Sequence, residues 1–212
     1  MDRLILFFRR NGWARRGLSV VSLTLVVAAI GLLGYPLYTN FEQGQIQDEK
    51  NGQLASPDLK SRYAKRELKI GDALTRIKIP KIGVDVVVVE GTTPAALKAG
   101  AGHYASTPLP CETGNVAIAG HRTTYGKPFA QMDRLAPGDV IILETPIGSC
   151  TYEVTKRPGN APNPFVVDPT NQGVVANTPG ERNLTLTTCH PKGSAKQRLI
   201  IRAKLTAGAV GA

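Results

Sequence analysis

Apolar residues form one long run near the N-terminus and several short runs after residue 73. The long run lies within 25 uncharged positions, residues 17–41, and a helix needs only ~20 residues to cross a hydrocarbon core of ~30 Å. We therefore predict a transmembrane helix over residues 17–38. Residues 1–16 contain five arginines and one acidic residue, and the first charges after the run are acidic. The positive-inside rule then predicts a cytoplasmic basic segment over residues 1–16 and an extracytoplasmic location for the rest of the chain.

A cleaved signal peptide is the alternative, because it too combines a basic start with an apolar run. The run in this chain is longer than the ~7 to 15 residues of a signal-peptide core. No clear small-x-small cleavage site precedes Tyr35 and Pro36. Both observations favour an uncleaved anchor.

Two polar or small-residue segments are predicted to lack a core of their own. Residues 39–72 are rich in glutamine and charge, so we predict an extracytoplasmic linker, in which residues 59–68 can form a solvated helix. Residues 207–212 are mostly glycine and alanine, and they are predicted to be a flexible tail.

Residues 73–206, between these segments, have the pattern of a mostly β domain. Apolar residues alternate with polar ones in most of the short runs, as in half-buried strands. The run 84–90 is mostly valine, which is typical of a strand covered on both faces. Short helices are predicted at 93–98 and 129–135. The predicted strands are 74–79, 84–90, 115–119, 140–143, 151–154, 184–189 and 198–205, with loops over 100–114 and 156–182.

The last two predicted strands bring a cysteine and an arginine together. Pro191 cannot donate to a β-ladder, so the strand that contains Cys189 should stop close to that thiol. The next strand opens at Arg198 and returns beside the first, which places the arginine back towards the cysteine. A cysteine in a strand is also commonly a small buried hydrophobe, and that interpretation stays open on these residues alone.

A nucleophilic thiol needs a nearby cation and a proton donor, and three histidines compete for the donor role. His190 follows Cys189 directly, so the two side chains of an extended chain point to opposite faces. His103 lies in a glycine-rich loop, where it is either a surface residue or part of a groove wall. His121 closes a strand whose alternation is clear.

Three separated motifs resemble those of the sortases, which are membrane-anchored cysteine transpeptidases of Gram-positive bacteria. They are the run Thr185-Leu186-Thr187-Thr188-Cys189, the arginine nine positions later, and the run Ala119-Gly120-His121-Arg122-Thr123-Thr124-Tyr125-Gly126. The Arg-Thr-Thr-Tyr-Gly sequence after the histidine is most similar to class E. The resemblance covers residues 73–206 and implies a closed eight-stranded β-barrel with short helices as the catalytic domain.

The resemblance also implies roles for individual residues. Cys189 would be the nucleophile, His121 the general acid and later base, and Arg198 the donor that positions the substrate carbonyl or stabilises its oxyanion. Thr188 would aid oxyanion binding or orient the substrate, or it would simply fill the strand. Further candidates for substrate binding are Tyr125 and Tyr104, and the loop 156–182 would shape the peptide groove.

The implied reaction cleaves a Leu-Ala-x-Thr-Gly or Leu-Pro-x-Thr-Gly sorting signal between threonine and glycine. A thioester on Cys189 would then pass the secreted protein to an amine of a peptidoglycan precursor.

Two rival classes of protein remain. The first is an anchored Cys-His peptidase or L,D-transpeptidase, although the Ser-His-Gly-Cys run of the L,D-transpeptidases is missing. The second is a non-catalytic cell-wall binding module. We find no cofactor or metal motif and expect neither.

The formal net charge of +10 does not indicate nucleic-acid binding. Without residues 1–16 the chain retains 21 basic and 15 acidic residues, a net charge of +6, and no nucleic-acid motif accompanies it. A basic surface close to anionic lipid headgroups and wall polymers is the better interpretation.

Two cysteines remain after Cys189 is assigned to chemistry. Exported chains tend to avoid cysteine or to pair it, and Cys111 and Cys150 both lie in predicted loops at strand ends. A disulfide between them is one outcome. Two free thiols are the other, because strand ends on opposite rims of a barrel are too far apart to be bridged.

Overall fold

The computed structural model describes residues 11–157, 159 and 161–210. Residues 1–10 of the predicted cytoplasmic segment lie outside the described residues, as do residues 211 and 212 of the predicted tail. The chain divides into two compact units, of which the first ends at Tyr38 and the second begins at Thr39.

Helix α1 runs from Gly12 to Leu54. In the first unit its apolar stretch is not buried by protein, and Leu33, for example, is 76% exposed. Among the described residues, α1 is the one helix that is long and apolar enough to cross a membrane. It is therefore a candidate membrane span, and it covers the predicted residues 17–38.

The segment 39–72 differs from the solvated linker that its composition predicted. Residues 39–54 continue α1, and a second helix, α2, spans Pro57–Ala64 behind an N-cap at Ser56. Leu59 of α2 is buried in a small apolar cluster on the barrel. The polar composition hid this packing, because glutamine amides make buried contacts of α1 beside the few apolar ones, which come from Ile46 and Leu54.

Gln47 is the clearest case of such a contact. Its Nε2 donates to the carbonyl oxygens of Val87 and Ala99, each at 2.8 Å, and its Oε1 accepts from the Val87 N–H at 2.7 Å. The neighbouring strand on this side, Ala101–His103, pairs with Val89 and Glu90 but does not reach Val87. The amide of Gln47 therefore supplies the hydrogen bonds that a neighbouring strand would give to the backbone of Val87. A buried backbone edge is thereby satisfied.

Among the described residues, nine strands form one sheet, and eight of them close into a barrel. Their order is β6-β5-β1-β2-β3-β4-β8-β9, and β9 pairs again with β6 to complete the ring. Strand β7 adds to β9 alone. The predicted closed eight-stranded barrel is confirmed. The strands are β1 Ala73–Ile79, β2 Val84–Glu90, β3 Ala101–His103, β4 Gly114–Gly120, β5 Val140–Thr145, β6 Gly148–Val154, β7 Phe165–Val167, β8 Arg182–His190 and β9 Gln197–Val210.

Short elements are where the structure differs from the sequence pattern. β3 and β7 lie in segments predicted to be loops, and the two predicted helices are single 3-10 turns, at Ala96–Ala99 and Met132–Arg134. Further 3-10 turns are Pro80–Ile82 and Gln172–Val174. Residues 207–210, predicted as tail, continue β9 opposite β6, since strand pairing needs only backbone groups and not large side chains.

The barrel interior takes every second residue of the strands. Val116 and Ile118 of β4, Leu184 and Leu186 of β8, and Ile201 of β9 all belong to one fully buried cluster. Because side chains alternate along a strand, the outer face of the same strands carries residues 117, 119, 185, 187 and 189.

Cys111 and Cys150 are joined by a disulfide, with their Cα atoms 5.7 Å apart. Both residues are buried in the core cluster. Cys150 lies within β6 and not in the predicted turn. The bridge ties the loop that enters β4 to β6, so the two cysteines are not on opposite rims.

Candidate active site

The β8–β9 hairpin brings Cys189 and Arg198 together. They are directly paired in the antiparallel register, so their side chains stand next to each other on one face of the sheet. Both residues are half-buried. The guanidinium of Arg198 is held by the connecting loop, where its Nη1 donates to the carbonyl oxygens of Ala195 at 3.0 Å and of Gln197 at 3.1 Å.

β4 carries His121 to the same edge. β4 and β8 are parallel, with Ala119 opposite Thr187, so both strands end at one rim of the barrel. The Thr188 hydroxyl donates to the Gly120 carbonyl oxygen at 2.8 Å and fastens the two ends together. His121 follows Gly120, and Cys189 follows Thr188. The two residues therefore lie side by side at the rim.

The backbone of His121 is fixed on both sides. Its N–H donates to the Gly100 carbonyl oxygen at 2.9 Å, and its carbonyl oxygen accepts from the Phe129 N–H at 3.1 Å. Phe129 packs so closely that a Cβ at position 120 would lie 2.4 Å from a ring carbon. A glycine is therefore required directly before the histidine.

The His121 imidazole is covered by its own loop. Its ring centroid lies 5.1 Å from that of Tyr125, with the planes tilted by 35°. Burial lowers the pKa of His121 below its ordinary value, since it disfavours the charged imidazolium. Neutral imidazole is therefore the predominant form at pH 7, and the ring is suited to exchanging a proton with a reacting group.

Arg122 turns away from this face and supports the Cys189 strand from the other side. It is 5% exposed. Its Nη1 donates to the Cys189 carbonyl oxygen at 3.2 Å and to Nδ1 of His190 at 2.9 Å, and its Nη2 donates to Oδ1 of Asp133 at 3.0 Å. Because Nδ1 of His190 accepts this bond, the ring proton of His190 is on Nε2.

Asp133 completes this group, which we call the Arg122 cluster: Arg122, Asp133 and His190. Burial acts to raise the pKa of Asp133, but its own backbone N–H and the Arg122 guanidinium outweigh that effect and lower the pKa. The carboxylate is thus ionised at neutral pH and balances the buried guanidinium. Sequence reasoning missed a role for Arg122, although its position directly after His121 in the quoted motif was a signal.

The remaining predicted residues fall in different places. The Tyr104 hydroxyl lies 3.1 Å from the Thr187 hydroxyl, on the face that carries Cys189. Thr188 is buried, and its hydroxyl is engaged with Gly120, so it joins strands on the opposite face.

His103 is neither a surface residue nor a groove wall, contrary to the expectation from its glycine-rich surroundings. It is fully buried, with its ring nitrogens 3.0 Å from Oε2 of Glu90 and 2.9 Å from the Pro108 carbonyl oxygen. The glycine next to it explains the burial, because a Cβ at Gly102 would meet the Gly91 carbonyl oxygen at 2.2 Å.

Comparison with known proteins decides the family. A family model described as the sortase domain matches residues 77–206, which is most of the barrel together with the Cys189, His121 and Arg198 positions. The chain belongs to the sortase family. Sortases are transpeptidases, and the family acts in general on proteins with sorting signals and on cell-wall precursors. The predicted resemblance to sortases is thereby confirmed.

Relatives of this sortase include both class E and class D proteins. Sortase SrtE1 of Streptomyces coelicolor is 31% identical over 202 residues, which cover 91% of this chain but 57% of that relative. Sortase D of Bacillus subtilis is 30% identical over 203 residues, covering 88% of this chain and 98% of the relative. The chain therefore spans little more than half of the first protein and nearly all of the second.

Solved structures give the same family. A sortase D5 transpeptidase of Clostridium perfringens superimposes with a TM-score of 0.65 at 31% identity, covering 78% of this chain and 99% of that one. Sortase E of Streptomyces avermitilis gives a TM-score of 0.58 at 34% identity, covering 66% and 92%. Sortase E1 of S. coelicolor, with a TM-score of 0.59 at 32% identity and coverage of 66% and 92%, was solved with a tripeptide in its active site.

Proposed function

We propose that this sortase uses Cys189 as its nucleophile, His121 as general acid and base, and Arg198 as the donor to the substrate carbonyl. The observation that carries the proposal is the pairing of Cys189 with Arg198 across the β8–β9 hairpin, with His121 ending the parallel strand on the other side. A thiol, a cation and a proton carrier thus meet at one rim, on one face.

The first half-reaction forms a thioester. The Cys189 sulfur attacks the threonine carbonyl carbon of a Leu-Ala-x-Thr-Gly or Leu-Pro-x-Thr-Gly signal. His121, neutral at rest, takes the thiol proton of Cys189 as the sulfur attacks. The Thr–Gly C–N bond then breaks, and His121 passes that proton to the leaving glycine amine. Arg198 donates a hydrogen bond to the threonine carbonyl oxygen while that oxygen carries negative charge. A donor of this kind is commonly worth 10²-fold or more in rate.

The second half-reaction transfers the protein to an amine of a peptidoglycan precursor. His121, now neutral, takes a proton from the incoming amine as that amine attacks the thioester carbonyl. The C–S bond breaks, and His121 returns the proton to the Cys189 sulfur, which restores the thiol and the neutral imidazole. The substrates of this step are sorting-signal proteins on one side and a cell-wall precursor on the other.

The N-terminal helix supports a membrane-anchored arrangement. We propose that residues 1–16 are cytoplasmic, that residues 17–38 span the membrane, and that the catalytic domain, residues 73–206, lies outside. The contacts of Gln47 and α2 with the barrel make residues 39–72 a packed extension of that domain.

Ligation tests the proposal. The full chain in detergent micelles is incubated with each pentapeptide and with a panel of amines that includes a peptidoglycan-type acceptor. We expect a product in which the threonine is joined to the amine and free glycine-side peptide is released. Hydrolysis without ligation under every acceptor would support the Cys-His peptidase. A folded chain that binds wall fragments and never cleaves either peptide would support the binding module.

A further inference from the structure

The part of helix α1 that belongs to the barrel unit contacts the loop after His121 with its first turn. Oδ1 of Asn40 accepts from the Gly126 N–H at 2.9 Å. Three residues later Gln43 is buried, and its Nε2 donates to the Ala99 carbonyl oxygen at 3.3 Å. This turn of α1 therefore joins the loop after β4 to the 3-10 turn ahead of β3.

The loop after His121 contains three successive residues in the left-handed region of backbone space. Tyr125, Gly126 and Lys127 have φ values of 48°, 68° and 43°. Residues other than glycine seldom adopt such values, so a turn of this kind persists only where its surroundings hold it. The Lys127 N–H donates to the Thr124 carbonyl oxygen at 2.9 Å, within the loop. The Gly126 N–H is satisfied from outside the loop, by Asn40.

Two close approaches enclose this turn. A Cβ at position 126 would lie 2.6 Å from Oε1 of Gln43 on α1. A Cβ at Gly100 would lie 3.0 Å from the Tyr125 carbonyl oxygen. Gly100 also accepts from the His121 N–H at 2.9 Å. The turn is therefore fitted between α1 and the segment that fixes the backbone of His121.

The same turn sets the position of the Tyr125 ring over the His121 imidazole. The two ring centroids are 5.1 Å apart, and Tyr125 directly precedes Gly126. The tyrosine ring contributes to the burial that lowers the pKa of His121. A shift of the turn would therefore move the ring that covers the imidazole.

We propose that Asn40 is a positioning residue for His121 and acts through the turn at residues 125–127. The inference rests on the proposed function, because it takes His121 to carry the proton. Asn40 touches no reacting group in this account. It fixes the turn whose tyrosine covers the imidazole, and proton transfer requires that imidazole to stay within hydrogen-bond reach of the reacting atoms.

A merely stabilising role is the alternative, and α1 contains a matched control for it. Oε1 of Gln53 accepts from the Ala73 N–H at 2.8 Å. Gln53 and Asn40 are both half-buried, and each gives an amide oxygen to a backbone N–H of the barrel unit. Ala73 opens β1, however, and β2 and β3 separate β1 from the His121 strand in the sheet.

The two contacts are compared by ligation kinetics of the full chain in detergent micelles. We expect Asn40→Ala to lower kcat about tenfold with KM little changed, because the chemical step loses its alignment. Gln53→Ala should leave kcat and KM close to wild type. Both variants should lose a similar, small amount of thermal stability, since each lacks one hydrogen bond. Asn40→Asp retains an acceptor oxygen and should restore kcat.

Nuclear magnetic resonance of carbon-13-labelled histidine gives a readout that stability alone would not move. In Asn40→Ala the His121 signal should shift towards its position in Tyr125→Ala, and the pKa of His121 should rise towards its ordinary value as the ring loses cover. In Gln53→Ala and Asn40→Asp both quantities should stay close to wild type.

Three results would overturn the inference: equal losses of kcat in Asn40→Ala and Gln53→Ala, an unchanged His121 signal in folded Asn40→Ala, or an Asn40→Asp variant that behaves like Asn40→Ala. The resonance comparison does not depend on turnover. It therefore decides the positioning role even if the wild-type chain ligates no peptide, and that failure would count against the proposed function alone.

Discussion

Two histidine–arginine pairs flank the same cysteine, and they differ in what their side chains are free to do. On the outer face, His121 and Arg198 lie beside Cys189 and are half-buried. On the other side, Arg122 and His190 are bonded to each other at 2.9 Å, and Arg122 also holds the Cys189 carbonyl oxygen. The first pair lies on the face of the thiol, whereas the second pair is occupied in hydrogen bonds that hold the strand.

Nearness in sequence does not decide which histidine lies on the same face as the thiol. His190 is covalently next to Cys189, yet its Nδ1 is saturated by Arg122. His121 is distant in sequence, and the parallel pairing of β4 with β8 brings it to the thiol. Alternation along the strand decides which face each of these side chains occupies.

The largest expected effect separates the two histidines. His121→Ala should lower transpeptidation by 10²-fold or more, because the leaving amine loses its proton donor. His190→Ala should be much milder, since it removes a partner of Arg122 and no reacting group. Initial rates with the pentapeptide and an amine acceptor measure both, and circular dichroism controls for folding. Equal losses in the two variants would remove the distinction between the pairs.

The two arginines are separated by a similar pair of variants. Arg198→Ala should cost roughly 10²-fold in kcat/KM, because the oxyanion loses a charged donor. Lys196→Ala removes an exposed charge from the same loop and is the matched control. If Lys196→Ala and Arg198→Ala slowed the reaction alike, general surface charge rather than a specific donor would explain the loss.

Arg122 should show an intermediate effect as a positioning residue. Arg122→Lys keeps the charge but loses the planar fork that reaches Cys189, His190 and Asp133 together. We expect kcat to fall by roughly tenfold with KM little changed. The nitrogen-15 chemical shift of His190 Nδ1 should also move, because that atom loses its donor.

A purely structural role for Arg122 would look different. Thermal stability would then fall while kcat and the His190 shift in the folded protein stayed as in the wild type. Asp133→Asn keeps a hydrogen-bond acceptor near Arg122 and should be the milder variant.

The smallest expected effect concerns the pKa of His121. Burial lowers this pKa, so nuclear magnetic resonance titration should place it below the ordinary value of ~6.5. As the pH falls through ~6.5, the unfolded state binds a proton on this histidine more readily than the folded state does. The free energy of unfolding therefore decreases until the pH passes below the folded pKa of His121. Tyr125→Ala should uncover the ring and move the pKa upwards, whereas Tyr125→Phe should leave it close to wild type. A wild-type pKa above ~6.5 would contradict the burial of this ring.

Many strands of the barrel could be predicted from the sequence because they alternate clearly, whereas their closure into an eight-stranded barrel was implied by the resemblance to sortases. The strand 84–90 was predicted to the residue, and the strand ends at His121 and Cys189 followed from the same pattern. β3 and β7, with three residues each, are too short to show a period. Their pairing depends on partners far away in the chain.

Polar packing was the part that sequence could not supply. The sequence pattern predicted solvent-exposed glutamines in α1. Gln47 is nevertheless buried, because it hydrogen-bonds to backbone groups of β2 that no neighbouring strand pairs with. The sequence showed Arg122 only as one charged residue of a motif. Its hydrogen-bond partners, Asp133, Cys189 and His190, lie 11, 67 and 68 residues further along the chain. Such contacts are decided by tertiary structure and leave no local periodicity.

Formation of a thioester on Cys189 by the outer-face group can be followed by the mass of the acid-quenched chain during turnover. With a Leu-Ala-x-Thr-Gly peptide, we expect an adduct that ends at threonine and maps to the proteolytic fragment containing Cys189. The adduct should persist in His190→Ala and be absent from Cys189→Ala. An adduct on another residue, or none in a folded chain that still ligates the peptide, would contradict the account.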